Sequence, residues 1–156
     1  MHKKNLTTKE TFVLAYQNHQ KKNFKIAEKL YEEVLKISPN HLESIFLLGT
    51  LSLQIKNFDH AIKLLNRTIQ IQPSYANAYH NLGLLFVELQ EFQKAMDYCK
   101  KAIQIQPNHV EAYNNLGNIL KELREFPKAM DCYQKAIQIQ PNFIKAHNNL
   151  GNILKE

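Results

Sequence analysis

Between residues 109 and 122 the apolar side chains Tyr113, Leu116 and Leu120 fall at i, i+3 and i+7. That spacing lines one face of an α-helix and leaves the polar residues on the other. A second run follows, in which Phe126, Ala129, Met130, Tyr133 and Ile137 recur at helical spacing and predict a helix from about Phe126 to Ile139. Pro127 falls in its first turn, where a missing N–H has no partner to lose. The Gln140-Pro141 step then stops the helix, because proline cannot continue it and biases the preceding residue toward extended backbone. The pattern reads as two helices and a stop.

The same pattern runs along the chain with a period of 34 residues. Pro39, Pro73, Pro107 and Pro141 keep that spacing, as do all four glycines, Gly49, Gly83, Gly117 and Gly151. Ala27, Ala61, Ala95 and Ala129 form a third series, and Phe24, Phe58, Phe92 and Phe126 a fourth. Leu14, Leu48, Leu82, Leu116 and Leu150 form a fifth. Segments 76–109 and 110–143 agree at 21 of 34 positions. A fixed period of this length marks a stacked-repeat architecture. One hairpin cannot bury both its faces, so each depends on its neighbours. Glycine inside a helix is disfavoured by ~1 kcal/mol relative to Ala, so its recurrence predicts close approach of a second helix. Asn40 and Asn108, three residues before Glu43 and Glu111, predict N-caps with an acidic partner in the first turn. Thr7 and Glu10 repeat that arrangement at the start of the chain.

Composition sharpens this picture. Only four glycines argue against a turn-rich β fold, and 44% hydrophobic with 22% charged residues allows a buried core. The net charge of +6 is concentrated at the start, where residues 1–41 hold eight Lys against four Glu. These Lys alternate with Glu, which predicts a solvated helix face. Cys99 and Cys132 lie far apart inside predicted helices, which fits free thiols in a reducing, cytoplasmic setting. The apolar run after Lys3 and Lys4 extends only from Phe12 to Tyr16, too short for a signal peptide. No stretch approaches the ~20 apolar residues that span a bilayer, so no membrane partner is expected.

The pattern Tyr-x-x-Leu-Gly at Tyr79, Leu82, Gly83 and at Tyr113, Leu116, Gly117 is followed by Ala95 or Ala129, by Tyr133 and Ala136, and by Pro107 or Pro141. It resembles the tetratricopeptide repeat. The resemblance covers repeats 8–41, 42–75, 76–109 and 110–143 and a partial fifth, 144–156, after an N-terminal tail of residues 1–7. Repeat 1 departs most, with Ala15 where later repeats have Gly and Val34 where they have Ala. Repeat 2 has Ile45 in place of the aromatic. The resemblance implies an all-α fold, a right-handed superhelical solenoid of antiparallel helix hairpins. The first helix of each repeat would line a concave groove. It also implies a non-catalytic scaffold that binds an extended peptide or partner segment there.

Helical spacing then gives the inward stripe: Asn77, Asn81, Leu84 and Glu88 in repeat 3, and Glu111, Asn115, Asn118 and Glu122 in repeat 4. The partial fifth repeat gives Lys145, Asn149, Asn152 and Glu156. Repeats 1 and 2 give Lys9, Val13, Tyr16, Gln20 and Glu43, Leu47, Thr50, Gln54. The groove is expected to be apolar toward the N-terminus and amide-rich toward the C-terminus. The candidate peptide-binding residues are Asn77, Asn81, Glu111, Asn115, Asn118, Lys145, Asn149 and Asn152. Asn81, Asn115 and Asn149 each stand two residues before a repeat glycine. An amide side chain offers both a donor and an acceptor, so a row of them can hold a peptide backbone. Asn is a poor helix former, so its persistence inside helices calls for a reason. The series, with the phrase from Tyr113 to Asn118, is similar to the asparagine ladder in the repeat region of protein O-linked N-acetylglucosamine transferases.

Other chemistries fit less well. A clamp for acidic C-terminal tails would use Asn115 and Lys145, but His80, Leu84 and Asn149 stand where Lys, Asn and Arg are needed. The seven His include the equivalent positions His41 and His109 but no i, i+4 pair with His or Cys, so no metal or other cofactor is expected. Every glycine belongs to the repeat, which leaves none for a phosphate loop. The near-neutral inner face argues against nucleic acid. Residues 148–156 repeat 114–122 letter for letter, so the fifth repeat stops after its first helix and leaves Leu150, Ile153 and Leu154 expected in solvent. That ending suggests two things. The chain is the recognition arm of a larger enzyme, such as a glycosyltransferase whose catalytic domain lies elsewhere, or its open end pairs with a second copy.

Overall fold

The structure is a computed structural model and describes residues 6–155. Residues 1–5 of the expected tail, and Glu156 of the inner stripe, lie outside them. Among the described residues there are nine helices and no strand: α1 (Thr8–Gln20), α2 (Phe24–Ile37), α3 (Leu42–Gln54), α4 (Phe58–Ile71), α5 (Ala76–Glu88), α6 (Phe92–Ile105), α7 (Val110–Glu122), α8 (Phe126–Ile139) and α9 (Ile144–Ile153). They form two compact bodies that divide between Pro73 and Ser74.

The N-terminal body is two hairpins, α1 on α2 and α3 on α4, with α2 packed on α3. Its core joins Ala15, Ala27, Tyr31, Ile45, Leu48, Leu51 and Leu64, with Phe12 and Phe24 against it. The C-terminal body is α5 on α6 and α7 on α8, closed by α9 on α8, with α6 packed on α7. Its first helices are also neighbours of one another, α5 beside α7 and α7 beside α9. The alanine series has a packing cause: Ala27, Ala61, Ala95 and Ala129 are all fully buried. Three of the glycines do too. A Cβ on Gly49 would lie 3.2 Å from Leu65, on Gly83 2.9 Å from Cys99 Sγ, and on Gly117 2.5 Å from the Tyr133 ring. Gly151 has nothing within 4 Å.

The turn from first to second helix has no glycine. Lys22, Lys56, Gln90 and Arg124, again 34 apart, hold φ near +60° (59° to 62°). Each closes a Schellman motif, in which the next residue's N–H reaches the carbonyl five back, as Glu91 does to Phe86 at 2.9 Å. These paired bonds satisfy carbonyls that the helix end would otherwise leave open.

The caps of the first helices correct one expectation. Thr7 does form the full capping box with Glu10. Asn40 and Asn108, however, lie in the turns after their prolines, and the N-caps are His41 and His109. Each ring accepts through Nδ1 from the third helical N–H, Ser44 at 3.2 Å and Ala112 at 3.4 Å. Imidazole here does the work usually done by Ser, Thr, Asp or Asn. At the last helix, Ile153, expected in solvent, is buried. It follows the fully buried Ala146 by two turns and so shares the face of α9 that packs on its neighbours, while Leu154 is exposed.

Candidate functional site

All eight candidate residues fall in the C-terminal body, on α5, α7 and α9. Asn77 opens the row. It is exposed, and its Oδ1 lies 3.0 Å from His109 Nε2. Because His109 Nδ1 accepts from Ala112, the ring proton sits on Nε2 and is donated to Asn77. Glu111 is exposed, with its carboxylate 3.3 Å from the same Nδ1. Burial pulls the His109 pKa down, against an opposing pull from Glu111.

The His109 ring stacks on His80, with centroids 4.9 Å apart and planes 29° from parallel. Their sequence separation hides this pair from any i, i+4 search. His80 Nδ1 is buried without a partner. Burial first, then the nearby His109, lowers the His80 pKa to about 4; Lys145 adds to the fall and Glu111 opposes it.

The central Asn series is not uniform. Asn81 is buried at 9% exposure. Asn115 is half-buried, and no side-chain hydrogen bond engages it among the described residues. Asn149 is half-buried and spends its Nδ2 on two acceptors of α7, Asn114 Oδ1 at 3.0 Å and Asn118 Oδ1 at 2.9 Å. The same Asn118 Oδ1 takes the Tyr133 hydroxyl at 2.8 Å. Asn114, adjacent to the stripe, is buried at 4% exposure and accepts from Asn149, a contribution that helical spacing of the stripe does not reveal. Asn152 and Lys145 are exposed.

The N-terminal body has a groove of its own, about 570 Å³, at the C-terminal ends of α1 and α3. Five of its lining residues, Tyr16, Gln20, Leu47, Thr50 and Gln54, belong to the stripe expected there, and His19, Lys22 and Phe24 complete it. His19 is held by Gln54 Oε1 at 2.9 Å and by the Tyr31 hydroxyl at 3.3 Å.

The family's sequence pattern, "Tetratricopeptide repeat", matches residues 76–109 and 110–143, and further patterns of the same description match 19–83 and 132–156. A solved structure of MamA protein is 30% identical, with a TM-score of 0.79 over 95% of this chain and 81% of that one. The chain belongs to the tetratricopeptide-repeat family. Another similar structure, MamA from Desulfovibrio magneticus RS-1, is 22% identical, with a TM-score of 0.79 over 91% of this chain and 80% of that one. YrrB, described as a TPR protein with an unusual peptide-binding site, is 20% identical, with a TM-score of 0.76 over 91% and 73%. These place the chain in the all-α class of helical-hairpin solenoids. No curated protein matches it in sequence. Among the described residues no three His, Cys, Asp or Glu side chains are grouped to hold a metal ion. No described helix is long and apolar enough to cross a membrane.

Proposed function

We propose that this tetratricopeptide-repeat chain is a non-catalytic interaction scaffold that binds an extended peptide across α5, α7 and α9. The observation that carries the reading is the amide of Asn115, half-buried between its neighbours with both its donors and its acceptor unspent. Such a group satisfies a peptide backbone without selecting a side chain. Asn77, Asn118, Asn149 and Asn152 extend the polar track on either side, and Glu111 and Lys145 bring one charge of each sign to its edge. YrrB's description as a peptide-binding TPR protein supports the same use of this fold. The phrase from Tyr113 to Asn118 keeps the likeness to the glycosyltransferase repeat region as part of this reading. The free thiols Cys99 and Cys132 suit a reducing compartment such as the cytoplasm.

The test begins with selection of binders to the full chain from a random library of 12-residue displayed peptides. Calorimetry on the selected peptide should show a loss of about tenfold in affinity for Asn115→Ala, the size of one well-made hydrogen-bond pair. The circular dichroism melt should be unchanged. Affinity within twofold of the original would remove Asn115 from the site.

A further inference from the structure

The side-chain network on α7, α8 and α9 determines more than the presence of amides. It fixes which way two of them face. Gly117 lacks the Cβ that would press on the Tyr133 ring at 2.5 Å, so the ring packs directly against α7 there. Tyr133 is fully buried, and burial raises its hydroxyl pKa to about 12, so it stays protonated and acts as a donor. It donates to Asn118 Oδ1, and Asn149 Nδ2 donates to the same oxygen from the other side. Asn118 has therefore spent its acceptor and kept its NH2. Asn149 has committed its NH2 and kept its carbonyl.

The unspent atoms are accessible. Among the described residues, the buried side-chain nitrogen and oxygen atoms without a partner are Ser44 Oγ and His80 Nδ1. Asn118 Nδ2 and Asn149 Oδ1 are not among them, so both open to solvent. The lock is also local. One repeat earlier the positions of Tyr133 and Asn118 are Cys99 and Leu84, which can form nothing like it. Simple copying of repeats does not explain an arrangement found at one place.

We infer that Asn118 and Asn149, held by Tyr133, form a fixed donor–acceptor pair that recognises the backbone N–H and C=O of a single residue in an extended strand of a partner. In such a strand both backbone groups of one residue point to the same side. The strand's carbonyl accepts from Asn118 Nδ2 and its N–H donates to Asn149 Oδ1. Tyr133 is a positioning residue, holding the Asn118 amide in the one orientation that matches. This inference rests on the peptide-binding reading above.

Asn118→Asp separates orientation from folding. A carboxylate still accepts from both Tyr133 and Asn149, so the melt should match the unchanged chain. The outward donor is gone, and affinity for the library-selected peptide should fall by at least about tenfold. Tyr133→Phe keeps the ring but removes one of the two donors that hold the Asn118 amide in place, and should lose about threefold to tenfold. An amide-to-ester scan of the peptide should find one backbone N–H whose removal is as damaging as Asn118→Asp. An alanine scan should find no Asn or Gln of comparable weight. If that weight lies in a peptide Asn or Gln side chain, the strand assignment is wrong. Should Asn118→Asp fail to fold, Tyr133→Phe and the ester scan decide. Affinity unchanged in both variants overturns the inference and leaves peptide binding standing. Failure to select any peptide removes the peptide-binding reading itself, and this inference with it.

Discussion

His80 is where residue chemistry couples most directly to stability. Its ring stacks on His109, its buried Nδ1 has no partner, and its pKa lies near 4 rather than 6.5. A depressed folded pKa means that the unfolded chain takes up the proton first. Stability is then intact above about pH 6.5 and falls as pH drops toward 4, by about 3 kcal/mol in all. Urea melts at stepped pH should show this slope, and His80→Asn should flatten it. That substitution places on α5 the amide found at the equivalent position on α7, Asn114, where it accepts from Asn149. An unchanged slope would mean that His80 titrates normally. The glycines give an opposed pair. Gly117→Ala drives a methyl into the Tyr133 ring and should destabilise by about 1–3 kcal/mol. Gly151→Ala meets nothing within 4 Å and should stabilise by about 0.5 kcal/mol through helix propensity alone. Equal effects in thermal melts would contradict the packing account. The recurrence of these glycines is visible in the chain. What each one faces is not, because Leu65, Cys99 and Tyr133 are different residues at one repeat position.

At the scale of elements, the helices were legible because five residue series share one period. The ends of the first helices were not. The usual sign of a left-handed C-terminal residue is Gly or Asn, and here Lys22, Lys56, Gln90 and Arg124 take the position. The Schellman bonds hold them there against a steric penalty of about 1–2 kcal/mol. Gln90→Gly relieves that penalty but adds freedom to the unfolded chain worth about 0.5–1 kcal/mol. The net gain should be about 0.5 kcal/mol in a urea melt; a loss would show that the turn is not under strain. The capping histidines were hidden for a similar reason, since Asn40 and Asn108 carry the more familiar capping side chain one residue too early. A turn after each proline uses those Asn residues and passes the cap to the ring that follows.

For the molecule as a whole, the family and the hairpin repeat follow from the sequence, while the state of the amides required coordinates. Helical spacing put Asn81, Asn115 and Asn149 at one repeat position. In the structure one is buried, one is unspent, and one is committed to its neighbours on α7. The difference arises because repeat neighbours differ: Asn149 faces Asn114 and Asn118, whereas one repeat earlier the matching positions are His80 and Leu84. The measurement that bears most directly on this account is a two-dimensional NMR titration of the full chain with a library-selected peptide, following the side-chain NH2 signals. Asn115 and Asn118 should shift first and furthest, with backbone shifts along α5, α7 and α9. Shifts confined to α6 and α8, with the Asn115 and Asn118 amides unmoved, would contradict it.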